Sequence, residues 1–137
     1  MPDILLLEDE LCVMSLLRRV LERAGYSVTE ARCVEEAKRS VELNPHISLL
    51  IADVSPRCSG VRVSVHATAS IPGLKVILTS GHPITMWSKQ DAALYRELPI
   101  DQVEILPKPF IASDVLSIVA FMIGPPAKSL RQGQQSG

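Results

Sequence analysis

Cysteines and net charge are both scarce in this chain, and each scarcity removes a class of function. Its 137 residues carry 14 Lys and Arg against 15 Asp and Glu, a formal charge of −1. Such a balance leaves no electrostatic footprint for nucleic acid or an anionic membrane. Arg18, Arg19 and Arg23 cluster, but Glu22 sits among them, and a solvated helix face accounts for the group. Cys12, Cys33 and Cys58 are odd in number, far apart and without CxxC spacing, which argues against a disulfide framework or a zinc site. The apolar runs fall far short of the roughly 20 residues of a membrane span. Asp3 and Glu8 interrupt any apolar core of a signal peptide. The expectation is a cytoplasmic protein of one domain, since this length supports one real core and hardly two.

Two kinds of segment alternate along the chain. "DILLLE", "LLIAD", "LKVILTS" and "VEIL" are short aliphatic runs, polar only at their ends, and read as strands buried on both faces. "SVTEAR" is half polar, as an edge strand would be. Leu11 to Ala24 follows a helical period and meets Gly25, a C-terminal stop. "CVEEAKRSVELNP", residues 84–98 and residues 111–123 are further helical stretches, with Ser113 or Asp114 as caps for the last. Residues 60–70 are ambiguous: Val61, Val63 and Val65 alternate as in a strand, while Val61, Val65 and Ala69 make a helical stripe. Alternation with the neighbouring strands favours helix. The pattern predicts an α/β fold, a flavodoxin-like, doubly wound, five-stranded parallel sheet with helices on both faces. The domain is expected over 1–123, and 124–137, "GPPAKSLRQGQQSG", reads as a disordered tail or truncated linker.

The run "ILLLEDE" closes a buried strand with Glu8, Asp9 and Glu10 side by side. Either an acid serves the positive end of the following helix, or something positive is meant to sit there. In an open α/β sheet ligands gather beyond the carboxyl ends of the strands. Those ends carry Glu8 and Asp9, Asp53, Thr79 and Ser80, and finally Lys108. Three carboxylates brought together call for a cation, and Mg²⁺ suits oxygen ligands with retained waters. A carboxylate can also attack phosphorus and hold an acyl phosphate.

In "LLLEDE", "LLIAD" followed by Pro56 and Gly60, "VILTSG" and "LPKPF", taken in order, the chain resembles the receiver domain of two-component response regulators. The resemblance implies strand order 2-1-3-4-5, with Asp53 as phosphoacceptor. It implies Mg²⁺ bound by Asp9, by Glu8 through water, by Asp53 and by the Ser55 carbonyl. Ser80 would hold the phosphoryl group with small Gly81 beside it, and Lys108, before a cis Pro109, would pair with a phosphate oxygen. The implied function is a phosphorylation-dependent switch, not an enzyme beyond slow autodephosphorylation. The implied partners are a sensor histidine kinase or phosphotransfer protein, and a downstream protein target reached through residues 82–123. The alternative is a receiver-like interaction module that is not phosphorylated.

Three features depart from the common family pattern. The loop "DVSPRCSG" is one residue short, which bears on the Ser55 ligand. Ile105 stands where the family often has Tyr or Phe. The segment from Ser80 to Lys108 is long and holds Trp87, placed either on a partner or over the helix–sheet seam. His82 is either a rim residue tuning the site or a solvated loop residue, and Cys58 either a reactive thiol or a small packing residue. The last helix carries a sheet stripe, Val115, Ile118, Val119 and Met122, and a second stripe, Leu116, Ala120 and Ile123. The second stripe suggests a homodimer or partner face, with a fold-back of the tail as the other reading. A haloacid-dehalogenase-type hydrolase is disfavoured because Ser55 stands where its second acid belongs. A flavin-type phosphate binder is disfavoured because acids follow the first strand.

Overall fold

A computed structural model describes residues 3–126, so most of the expected tail lies outside the described residues. Five strands form one parallel sheet in the order β2-β1-β3-β4-β5: β1 Asp3–Leu7, β2 Ser27–Ala31, β3 Ile47–Asp53, β4 Lys75–Ser80 and β5 Val103–Pro107. Five α-helices intervene: α1 Leu11–Ala24, α2 Val34–Leu43, α3 Gly60–Ser70, α4 Lys89–Tyr95 and α5 Ala112–Ile123.

Strand alternation splits the core in two. Ile4 and Leu6 point to one face, where they meet Met14, Leu17 and Leu21 of α1 and Val115 and Val119 of α5. Leu5 and Leu7 point to the other, packed with Ala37 and Val41 of α2 and Val61, Val63 and Ala67 of α3. Both faces are covered, which is why the strands read as unbroken aliphatic runs. The chain steps one way from β1 to β2 and the other way from β1 to β3, so the switch point opens between β1 and β3. Glu8 and Asp53 stand at its lip.

The ambiguous segment at 60–70 is the helix α3. Its β-branched residues lower intrinsic propensity, but burial of Val61, Val63 and Ala67 outweighs that cost. The buried Ser64 hydroxyl donates to the Gly60 carbonyl at 2.7 Å and so leaves no unpaired polar group. Of the helix expected at 84–98, only Lys89–Tyr95 is α-helical; Ile84–Met86 is a 3₁₀ turn, and a second one, Ile100–Gln102, follows beyond that span. Ser88 explains the restart, because its hydroxyl accepts the Asp91 N–H at 3.0 Å as an N-cap. At the start of α5, Asp114 accepts the Ile111 N–H at 3.1 Å.

The second stripe of α5 is partly covered: Leu116 and Ile123 are half-buried against the core that α5 shares with α1, while Ala120 is exposed, as is the large apolar side chain of Phe121. A helix that flanks another helix as well as a sheet needs two stripes. Beyond α5, the Gly124 carbonyl accepts the Tyr26 hydroxyl at 2.8 Å and Pro126 is buried. The chain stays on the domain through that point.

Candidate functional site

Strand register and two loops bring the predicted residues together. Asp53 pairs in register with Thr79, and the Val54 N–H continues the ladder to the Thr79 carbonyl at 2.8 Å. The Lys108 N–H likewise reaches the Ser80 carbonyl at 2.8 Å, and the Lys108–Pro109 peptide is cis. The ammonium of Lys108 stands 3.0 Å from Glu8 Oε1 and 3.0 Å from Asp53 Oδ1. Both carboxylates are buried, with side chains 1 % and 6 % exposed. Asp9 lies at the mouth; its nearest cation, Arg57 at 3.8 Å, is itself 84 % exposed and neutralises little. Two buried carboxylates, with Asp9 at the mouth beside them, therefore share one half-buried ammonium, and the excess negative charge is the physical case for a cation.

The opening question about the acids after β1 is decided by their contacts. Glu10 is the N-cap of α1 but makes no side-chain capping bond. Glu8 turns inward instead: Oε1 accepts from Lys108, and Oε2 accepts the Glu10 N–H at 3.1 Å. Burial pushes the Glu8 carboxyl above its ordinary value, partly opposed by those two bonds. Burial draws the Lys108 ammonium down, but its bonds to Asp53 and Glu8 outweigh this and leave it raised.

The sign for stability follows from Glu8. An acid whose folded pKa lies above the unfolded value binds more protons in the fold, so its contribution falls as pH rises from about 4.5 through the raised value. Glu8→Gln should flatten that part of the curve in metal-free buffer, and thermal unfolding across this range measures it. An unchanged pH slope would contradict the buried placement of Glu8.

Asp9, Asp53 and Cys58 offer ligand atoms that lie within 4.8 Å of one another. The sulfur does not belong to the donor set. Cys58 is fully buried, burial pushes its thiol up to about 12, and Sγ donates to Asp9 Oδ1 at 3.7 Å. It is a protonated packing residue, not the reactive thiol weighed above. The two carboxylates fit a hard ion with oxygen ligands such as Mg²⁺. In the shortened loop, the Ser55 carbonyl accepts the Ser59 N–H at 2.9 Å and the Ser55 hydroxyl accepts the Cys58 N–H at 3.2 Å. Gly60, which starts α3, is required by close approach: a Cβ there would stand 2.4 Å from the Asp53 carbonyl oxygen.

Compared with known proteins, the chain is 29 % identical over 123 residues to the response regulator receiver protein CpdR of Brucella abortus, covering 90 % of this chain and 98 % of that protein. The chain is therefore similar to receiver proteins of the response regulator family. A second match, 31 % identical, covers 88 % of this chain and 12 % of the sensor kinase CckA of the same organism. The fold agrees with the crystal structure of a CheY-like receiver domain protein from Methanospirillum hungatei, with TM-score 0.73, 20 % identity and coverage of 100 % and 99 % of the two chains. No family model matches the chain. Among the described residues no helix is long and apolar enough to cross a membrane.

The site holds one residue that sequence reasoning did not place there. Trp87 is half-buried, and its Nε1–H donates to Ser80 Oγ at 3.1 Å and to the His82 carbonyl at 3.1 Å. It also meets Tyr95 edge to face and packs against the core cluster, which places it over the helix–sheet seam. His82 contributes only its backbone to these bonds, and its side chain is exposed. Trp87 is the chain's single tryptophan, seven residues beyond Ser80, and no spacing rule links the two.

Proposed function

We propose that this chain is a response-regulator receiver domain, a phosphorylation-dependent signalling switch in which Asp53 accepts a phosphoryl group from the phosphohistidine of a sensor kinase or phosphotransfer protein. An Asp53 carboxylate oxygen bonds to phosphorus, the bond from phosphorus to the histidine nitrogen breaks, and an acyl phosphate results. The observation that carries this reading is the Lys108 ammonium held at 3.0 Å from Asp53 by a buried partner, Glu8. A cation so placed can follow the negative charge from the carboxylate onto phosphoryl oxygens without reorganisation. Asp9 and Asp53, with Glu8 through water and the Ser55 carbonyl, would hold Mg²⁺, which when bound supplies positive charge to the incoming group. The Ser80 hydroxyl, at the end of β4, would donate to a phosphoryl oxygen.

The domain acts as a switch and not as an enzyme, because its own nucleophile carries the product. Output passes through protein contacts made by residues 82–123, where the 3₁₀ turns and α4 expose Met86 and Ile100. Asp53→Asn tests the reading. With Mg²⁺ and beryllofluoride, wild-type amides of Val54, Ser80 and Gly81 should shift, and those of the variant should not. Equal responses from the two proteins, or none from the wild type, would contradict it.

A further inference from the structure

We infer that Trp87 is the positioning residue that relays occupancy of Asp53 to α4, and this rests on the phosphoryl-acceptor reading above. The Ser80 hydroxyl is fully committed: it donates to the His82 carbonyl at 2.7 Å and accepts from the His82 N–H and the Trp87 indole, each at 3.1 Å. A hydroxyl has one proton to give. When Ser80 turns that proton to a phosphoryl oxygen, the His82 carbonyl loses its shortest donor. The indole N–H already stands 3.1 Å from that carbonyl as well as from Ser80 Oγ. The shared bond then collapses onto the carbonyl, and the indole follows it. The forked bond thus offers the indole two acceptors at the same 3.1 Å, and passing from both to one is the step a switch element needs.

The surroundings carry the displacement onward. The Trp87 ring meets Tyr95 edge to face, centroids 5.6 Å apart at 89°. Tyr95 is the last residue of α4, so a shift of the indole moves the far end of that helix. Ile105 of β5, packed in the same cluster, has no polar atom to take this part. On its other side the indole borders an open cleft of about 460 Å³ lined by Val54, Ser55, Ser59, Ser80 and Asp91, which gives it room to move.

The single tryptophan makes the test clean. On adding Mg²⁺ and beryllofluoride to ¹⁵N-labelled protein, the Trp87 indole N–H resonance and the α4 amides should move together. In Trp87→Phe, which keeps a ring but loses the N–H, the Val54 and Gly81 amides should still respond while the α4 amides lose most of their shift. In Ser80→Ala without beryllofluoride, the indole has only the His82 carbonyl, so its resonance should already lie toward the position it takes in the treated wild type. Undiminished α4 shifts in Trp87→Phe, or an indole resonance that stays still while Val54 and Gly81 respond, would overturn the relay and leave the phosphoryl-acceptor reading standing. If no wild-type resonance responds, both fall.

Discussion

Lys108→Met should destabilise the metal-free domain at neutral pH by about 3 kcal/mol, the cost typical of removing one partner from a buried ion pair. Methionine keeps the aliphatic stem but leaves Glu8 and Asp53, both nearly inaccessible, without the ammonium that stands 3.0 Å from each. The loss has a signature that a packing defect would lack. Acid should restore part of it, because a protonated Glu8 no longer needs a counter-ion. Millimolar Mg²⁺ should restore part of it too, by supplying positive charge to the same oxygens. Urea unfolding with and without Mg²⁺, at neutral and mildly acidic pH, reads all three. A variant as stable as wild type at neutral pH without metal would mean that Lys108 does not hold the site together. The variant should also accept phosphoryl poorly, since the charge that follows the transferred group has gone.

Gly60→Ala should cost a similar amount, about 3 kcal/mol, by a different route. The added Cβ would meet the Asp53 carbonyl oxygen at 2.4 Å, the Asp53 carbonyl carbon at 2.9 Å and the Ala52 carbonyl carbon at 3.2 Å. All three are backbone atoms, so relief requires the end of β3 or the start of α3 to shift. Asp53 sits on that strand end, and its uptake of phosphoryl should fall with stability. Gly81→Ala is the control, because a Cβ there meets no heavy atom within 4 Å. Thermal melts of the two variants should separate clearly. Equal melting temperatures for Gly60→Ala and wild type would show that the approach of α3 to Asp53 is looser than described.

The legible parts of this molecule are those with a strong local signal. Strands buried on both faces announce themselves as aliphatic runs, and their polar ends mark where a doubly wound sheet puts its chemistry. Asp53, Ser80 and Lys108 were readable for that reason. What the sequence hid depends on tertiary neighbours. Val61, Val63 and Val65 alternate like a strand, yet burial of Val61, Val63 and Ala67 within α3 makes helix the answer. That Leu116 and Ile123 are half-buried against the core shared with α1 was equally illegible, because the position of α1 beside α5 has no local mark. The division of labour among the acids was hidden too. Nothing in "LEDE" says that Glu8 turns to Lys108, a hundred positions away, while Asp9 stays at the mouth with Asp53. Trp87 was invisible as a site residue because its contact with Ser80 depends on a turn whose path no periodicity predicts.

The central claim is that carboxylates from separate strand ends gather around a divalent ion so that Asp53 can accept phosphorus. Intact-mass spectrometry after incubation with acetyl phosphate, with Mg²⁺ or with a chelator, tests it most directly when borohydride trapping locates the adduct. The account predicts a gain of one phosphoryl group, at Asp53, only when Mg²⁺ is present, and greatly reduced in Asp9→Asn. Modification at another residue, or equal modification of Asp53 in the presence of the chelator, would contradict it.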